Sequence, residues 1–120
     1  MPTMRSRLDL AASARRFAAL GDPTRLQVFV LLARAPQSVA EIAGSVSVSR
    51  PAVSQHLKVL ADAGLVACEA AGTRNIYRPR ADGVASMRDF IDGMWDVGLA
   101  RFKAAAEAAA RAIARQEKKP

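Results

Sequence analysis

The chain has 120 residues, the length of one domain, and its 18 Lys and Arg against 11 Asp and Glu give a net charge of +7. That balance favours a polyanionic partner such as nucleic acid. The single cysteine, Cys68, excludes an intramolecular disulfide, and no stretch approaches the roughly 20 apolar residues of a membrane span. We therefore expect a soluble, cytoplasmic, basic domain over residues 1–120, with no membrane contact.

Turn and cap residues in the first half of the chain predict four helices. The first runs over about 8–20, where apolar residues recur every three or four positions. The second follows Asp22, which suits an N-cap, and stops before Pro36. Two shorter helices at about 38–44 and 50–63 are separated by a turn of a few residues.

The starts and the apolar faces of these helices are also predicted. Ser38 and Glu41 have the spacing of a capping box, in which each side chain bonds the backbone N–H of the other. The second helix is expected to have one apolar side, formed by Leu26, Phe29, Val30 and Ala33. The fourth helix is expected to face the core with Val53, Leu57 and Leu60.

The second half predicts a strand pair and one long helix. Residues 65–70 and 74–78 are typical of two strands joined by a turn at 71–73. Cys68 lies in the first strand beside apolar neighbours, so we expect it to be a small buried side chain. A final helix opens at Asp82, and residues 83–115 would span about 50 Å if continuous, which exceeds what so small a domain can cover.

Two short helices with a tight turn, followed by a hairpin, describe a winged helix-turn-helix. The expected fold class is therefore mainly α with a two-stranded β wing. The helix that follows Ser49 is the natural recognition helix, and the segment 44–60 contains no acidic residue that would repel DNA. Its outward side chains suit the bases and phosphates of a major groove. These side chains are Arg50, Ser54, Gln55 and Lys58.

The predicted DNA-contacting set extends beyond this helix face. Ser38 lies at a helix start that would face phosphate, and Arg74 at the wing tip would reach a minor groove or a phosphate. His56 is expected to contact DNA or to pack against the turn, and not to bind a metal. The complete set is Ser38, Ser49, Arg50, Pro51, Ser54, Gln55, His56, Lys58, Thr73, Arg74 and Asn75.

Three stretches carry a resemblance to a known family. Residues 17–26, FAALGDPTRL, are similar to the opening signature of the ArsR/SmtB family of bacterial transcription repressors. Residues 49–60, SRPAVSQHLKVL, resemble its recognition helix, and 63–66 with Gly72, Tyr77 and Arg78 resemble its wing. The resemblance, which covers about 15–80, implies a homodimeric repressor in the bacterial cytoplasm, at the nucleoid when bound to DNA. It also implies an inverted-repeat site in a promoter, often its own, and release by an effector.

The chain departs from the metal-sensing members of that family. Those members carry a cysteine pair on the first helix of the helix-turn-helix, or His and Asp ligands on the last helix. Here residues 39–48 contain neither Cys nor His, and the last helix has aspartates but no His. Carboxylates alone are poor ligands for Zn²⁺ or soft metals. We therefore expect no metal and no cofactor, and the small-molecule effector stays unidentified.

The apolar residues of the last helix predict a dimer. An apolar helix this long most simply pairs with its twin, assisted by the first helix, so 8–80 would be the DNA-binding core and 82–116 the dimerisation helix. The expected interface consists of Leu10, Phe17, Met87, Phe90, Ile91, Met94, Trp95 and Phe102. The alternative is a hydrophobic effector pocket between those helices, beside Gly93 and Gly98.

Two other function classes compete with a specific regulator. A sequence-tolerant architectural DNA-binding protein is compatible with the charge, but the base-reading side chains disfavour it. A protein-interaction module is disfavoured by the acid-free recognition helix. An enzyme is not expected, because the sequence has no Gly-rich phosphate loop and its only histidine lies in the recognition helix.

Overall fold

The computed structural model describes the backbone of residues 4–118 and the side chains of residues 10–118. This part of the chain holds five helices and an antiparallel strand pair, which confirms the predicted fold class. By contacts it forms two units, one ending at Arg88 and the other beginning at Asp89. In chain order the elements are α1 Met4–Leu20, α2 Pro23–Arg34, α3 Val39–Ala43, α4 Arg50–Asp62, β1 Val66–Ala71, β2 Arg74–Pro79 and α5 Ala81–Glu117. Within the described residues, no helix combines the length and the apolarity that crossing a membrane requires.

Side-chain caps start α2 and α3 where the sequence predicts them. The Asp22 carboxylate accepts a hydrogen bond from the backbone N–H of Arg25 at 3.0 Å. The capping box of α3 is complete. Ser38 Oγ accepts from the Glu41 N–H at 3.3 Å, and Glu41 Oε1 accepts from the Ser38 N–H at 3.0 Å. Each cap satisfies a donor that the first turn of a helix leaves without a backbone partner, so these starts are well defined.

The core of the first unit is apolar and lies where α2, α3, α4 and β1 meet. As predicted, α4 turns Val53, Leu57 and Leu60 inward, and all three are buried. Burial of one such side chain contributes about 1.5–3 kcal/mol, so this face holds α4 on the rest of the unit. The buried apolar residues are Ala19, Val28, Leu32, Ile42, Val53, Leu57, Leu60, Leu65, Val66 and Met87.

The apolar side predicted for α2 is only in part the side that packs inward, because of its four residues Phe29 alone packs, partly buried, against the core. The helix buries Val28 and Leu32, whereas Leu26 and Val30 are 45% and 43% exposed. The stretch from Leu26 to Leu32 is almost entirely apolar, so hydrophobic periodicity could not distinguish its sides. The position of α2 against α4 decides which side is buried.

The wing is an antiparallel hairpin anchored to the chain before α3. Cys68 is paired with Tyr77, and Gly72 takes the positive φ of +64° that the turn between the strands requires. Tyr77 also bridges to Gln37, through backbone bonds of 2.8 and 3.1 Å in the two directions. The base of the wing is therefore held from two sides.

The expectation that Cys68 is buried is wrong, because its side chain is exposed. Only the first part of β1 reaches the core, where Val66 is 2% exposed, and the strand then leaves it. An apolar sequence neighbourhood does not reveal where a hairpin extends beyond its support. On the partner strand, burial foremost and then the neighbouring Cys68 raise the pKa of the Tyr77 phenol.

Two glycines permit a close approach between the end of α4 and the start of α5. Gly64 has a φ of +77°, in the region that side chains disfavour. A Cβ at Gly83 would lie 2.0 Å from the Gly64 carbonyl oxygen. A hydrogen bond of 2.8 Å from the Arg80 N–H to the Leu65 carbonyl oxygen lies beside this contact. The first turn of α5 thus packs against the base of the wing.

Candidate nucleic-acid interface

Helix α4 presents a continuous polar face opposite its buried face. Arg50, Ser54 and Lys58 follow one another at intervals of four residues and are all exposed. Residues at this spacing lie along one ridge of a helix, and the exposed Gln55 lies beside that ridge. The structure therefore brings together the four side chains that the sequence assigns to the major groove.

The start of α4 is ordered by its cap. Ser49 Oγ accepts a hydrogen bond from the Ala52 N–H at 3.3 Å, and Pro51 lies in the first turn, where it lacks only an N–H that needs no helical partner. Both Ser49 and Pro51 are exposed. The first turn of α4, which carries Arg50, is therefore well defined.

Arg50 and Lys58 are the cations of this face, and the exposed Asp62 follows Lys58 by four residues at the end of the helix. Neither Arg50 nor Lys58 forms an ion pair with a described side chain. Unpaired cations release condensed counterions when they meet phosphate, so they contribute directly to DNA affinity.

His56 lies apart from the exposed set. Its side chain is half-buried and close enough to Asp22 to influence that carboxylate. The hydrogen bond from the Arg25 N–H is the largest cause that lowers the Asp22 pKa, and the charges of Arg25 and His56 lower it further.

Ser38 and Arg74, both assigned to DNA by the sequence, bond to each other. Arg74 Nη2 donates to Ser38 Oγ at 2.9 Å and to Glu41 Oε1 at 2.7 Å. Ser38 is only 7% exposed, so its hydroxyl is committed to the cap and to Arg74. The flanking wing-tip residues Thr73 and Asn75 are exposed. Sequence reasoning missed Glu41 as a partner of the wing, since nothing local relates positions 41 and 74.

Comparison with known proteins shows which protein family the chain resembles. Residues 22–67 match the sequence profile of the family described as bacterial regulatory protein, arsR family. The HTH-type transcriptional regulator Rv2034 of Mycobacterium tuberculosis is 44% identical over 88 residues, which are 73% of this chain and 82% of that protein. This chain belongs to the arsR family of bacterial regulatory proteins. It is therefore a DNA-binding transcriptional regulator.

Other arsR-family relatives agree in sequence and in structure. The probable mercury resistance operon repressor of Streptomyces lividans is 37% identical over 98 residues, covering 82% of this chain and 71% of that protein. The ArsR-like transcriptional regulator from Rhodococcus sp. RHA1 superimposes with a TM-score of 0.67 at 35% identity, covering 81% of this chain and 94% of that one. The homodimeric winged helix-turn-helix DNA-binding domain Mb0332 of Mycobacterium bovis gives a TM-score of 0.65 at 31% identity, covering 82% and 91%.

The expected interface residues of this arsR-family chain fall into four groups. Met87 is only 9% exposed and belongs to the core of the first unit, so little of it is left for a partner. Leu10 and Phe17 on α1 are 57% and 37% exposed. Phe90 is half-buried. The rest of the set lies on the exposed second unit, with Ile91, Met94, Trp95 and Phe102 at 48%, 60%, 65% and 73% exposure.

The cavity that the structure shows is not lined by Gly93 or Gly98, the glycines beside which the sequence suggested an effector pocket as the alternative to a dimer interface. A Cβ at Gly93 or Gly98 would have nothing within 4 Å. An open cavity of about 330 Å³ lies instead between α1, α2 and α4, and the residues lining it are Arg15, Ala18, Ala19, Arg25, Val59, Asp62 and Ala63. In the described part of the chain, no group of three or more His, Cys, Asp or Glu side chains is placed to hold a metal ion.

Proposed function

We propose that this protein is a homodimeric repressor that binds an inverted repeat in a promoter, its own included. The observation that carries the proposal is the polar face of α4, where Arg50, Ser54, Gln55 and Lys58 are exposed together on a helix whose other side is buried. A helix held in this way can enter a major groove without losing its packing. RNA polymerase is then blocked by the occupied promoter.

Sequence reading is assigned to the first half of α4. Arg50 suits the two acceptors of a guanine and Gln55 the donor and acceptor of an adenine, while Ser54 suits either base or phosphate. Lys58 is assigned to phosphate, which it binds regardless of sequence. Ser49 and Pro51 support the first turn of α4. Thr73 and Asn75 flank Arg74 at the tip of the wing, where the wing would approach DNA.

The dimer is assigned to the exposed apolar residues of α1 and α5. Met94, Trp95 and Phe102 are each 60% exposed or more, and several large apolar side chains exposed on one helix are typical of a protein interface. The homodimeric relative from M. bovis supports the same assembly. Two-fold symmetry would place two recognition helices about 34 Å apart, in successive major grooves of an inverted repeat.

Fluorescence anisotropy with a duplex from the region upstream of the gene, compared with a scrambled duplex, tests this function. We expect the upstream duplex to bind on the order of a thousandfold more tightly, with a steep dependence on salt. Equal affinity for both duplexes would favour the architectural alternative. Absence of binding to either would refute DNA recognition by α4.

Substitutions on α4 test the division of roles. Arg50→Ala should lower the affinity for the upstream duplex by about 1–3 kcal/mol while changing the scrambled duplex much less. The matched variant Lys58→Ala should weaken both duplexes alike. Equal losses for Arg50→Ala on both duplexes would show that Arg50 touches only phosphate.

A further inference from the structure

The arginines of β2 and of the residue that follows it, at the exit of the wing, are all paired with carboxylates. Arg74 pairs with Glu41, Arg78 with Glu69, and Arg80 with Asp82 through two hydrogen bonds of 2.6 and 3.1 Å. The wing and its exit therefore carry no excess charge from these arginines, in contrast to the unpaired cations of α4.

One of these three pairs joins distant parts of the chain. Glu69 and Arg78 lie on adjacent strands, and Arg80 and Asp82 are two residues apart. Arg74 and Glu41 are 33 residues apart, so their pair connects the wing tip to the helix-turn-helix.

Glu41 is built to hold the Arg74 guanidinium. Arg74 Nη2 has two N–H donors, and it has two acceptors at 2.9 and 2.7 Å, Ser38 Oγ and Glu41 Oε1. The same Glu41 oxygen accepts from the Ser38 N–H at 3.0 Å, and this bond orients the carboxylate independently of Arg74. The pair is nonetheless near the surface, with side chains 57% and 49% exposed, so an incoming phosphate competes with a carboxylate for Arg74.

We propose that Glu41 is a positioning residue that keeps Arg74 on α3 and off the DNA backbone, and thereby limits the affinity of the protein for DNA of any sequence. The proposal rests on the proposed function, since it assumes that α4 and the wing meet DNA. It replaces the expectation that Arg74 grips a phosphate or a minor groove. Removing the charge of Glu41 would release Arg74 to form one additional phosphate contact.

Glu41→Gln isolates this role from the folding role of the residue. Glutamine serves at the third position of a capping box as well as glutamate does, so the start of α3 is retained. Glu107→Gln, on an exposed part of α5, removes the same charge without touching Arg74 and controls for the change in net charge. Circular dichroism confirms that each variant is folded before binding is measured.

The experiment measures binding to a scrambled duplex by fluorescence anisotropy across a salt series from about 50 to 200 mM. We expect Arg74→Ala to leave the slope of log affinity against log salt unchanged. Glu41→Gln should steepen the slope by about 0.9, the value of one phosphate contact, and raise affinity at low salt on the order of fivefold. Adding Arg74→Ala to Glu41→Gln should restore the wild-type slope.

Two results overturn the proposal. One is a slope that becomes shallower by about 0.9 in Arg74→Ala alone, which would show that Arg74 binds phosphate despite Glu41. The other is a slope for Glu41→Gln equal to that of Glu107→Gln.

Lys58→Ala separates this inference from the proposed function. If Lys58→Ala flattens the slope, α4 meets DNA and only the role of Glu41 fails. If wild type does not bind, or Lys58→Ala changes nothing, both fail.

Discussion

Substitution of Gly83 by alanine tests the close contact between the start of α5 and the base of the wing. The added Cβ would lie 2.0 Å from the Gly64 carbonyl oxygen, which is 1.4 Å short of the 3.4 Å at which ordinary contact begins. The obstructing atoms are backbone and cannot rotate away, so α5 or the loop after α4 must move. Overpacking of this kind costs about 1–3 kcal/mol, and we expect the upper end. The higher helix propensity of alanine offsets about 1 kcal/mol of this cost, so the free energy of unfolding should fall by about 2 kcal/mol.

Thermal and urea unfolding at one fixed protein concentration measure this loss, since an assembly makes stability depend on concentration. A loss of 2 kcal/mol should lower Tm by about 8 °C in a chain of this size. Gly93→Ala is the matched control, because a Cβ there has nothing within 4 Å and should raise stability by about 0.5–1 kcal/mol. A Gly83→Ala protein as stable as Gly93→Ala would refute the packing argument.

Four further outcomes are expected. Leu32→Ala should cost about 2–5 kcal/mol in urea unfolding whereas Val30→Ala costs far less, because Leu32 is 1% and Val30 is 43% exposed; equal costs would contradict the observed face of α2. Native Cys68 should react with a thiol reagent as fast as in urea, and protection until unfolding would contradict its exposure. The lowered pKa of Asp22 means that its cap stabilises the fold above pH 3.8, its ordinary value, and that this contribution is lost as pH falls through the folded pKa. Asp22→Asn should therefore flatten the fall of the urea midpoint in that acidic range, and an unchanged profile would show that Asp22 contributes nothing. Trp95→Asp should shift the protein from dimer to monomer in sedimentation while the helix content stays, and an unchanged sedimentation coefficient would remove Trp95 from the interface.

Local chemistry accounts for the parts of the fold that the sequence predicts well. The caps at Asp22, Ser38 and Ser49 are formed between residues three positions apart, so their bonds depend on no distant part of the chain. The sequence also predicts which face of α4 is buried, because its apolar residues alternate with polar ones at helical spacing. The start of α1 is not predicted as well, because the helix begins at Met4 whereas the apolar spacing predicts a start near Leu8.

The errors occur where no local signal exists. The apolar stretch in α2 carries no information about which side packs on α4. Cys68 resembles a buried strand residue in sequence, yet β1 has already left the core at that point. Met87 reads as one more apolar residue on a long helix, whereas it is buried in the core of the first unit.

The sequence by itself determined the helix-turn-helix, the hairpin and the polar face of α4, because propensity, capping and periodicity act over a few residues. It also determined the excess of positive charge. Only the tertiary structure decided that Arg74 meets Ser38 and Glu41, and that Gly83 contacts Gly64. Each of these pairs is far apart along the chain, and contacts of that kind depend on how the completed elements pack rather than on the residues beside them.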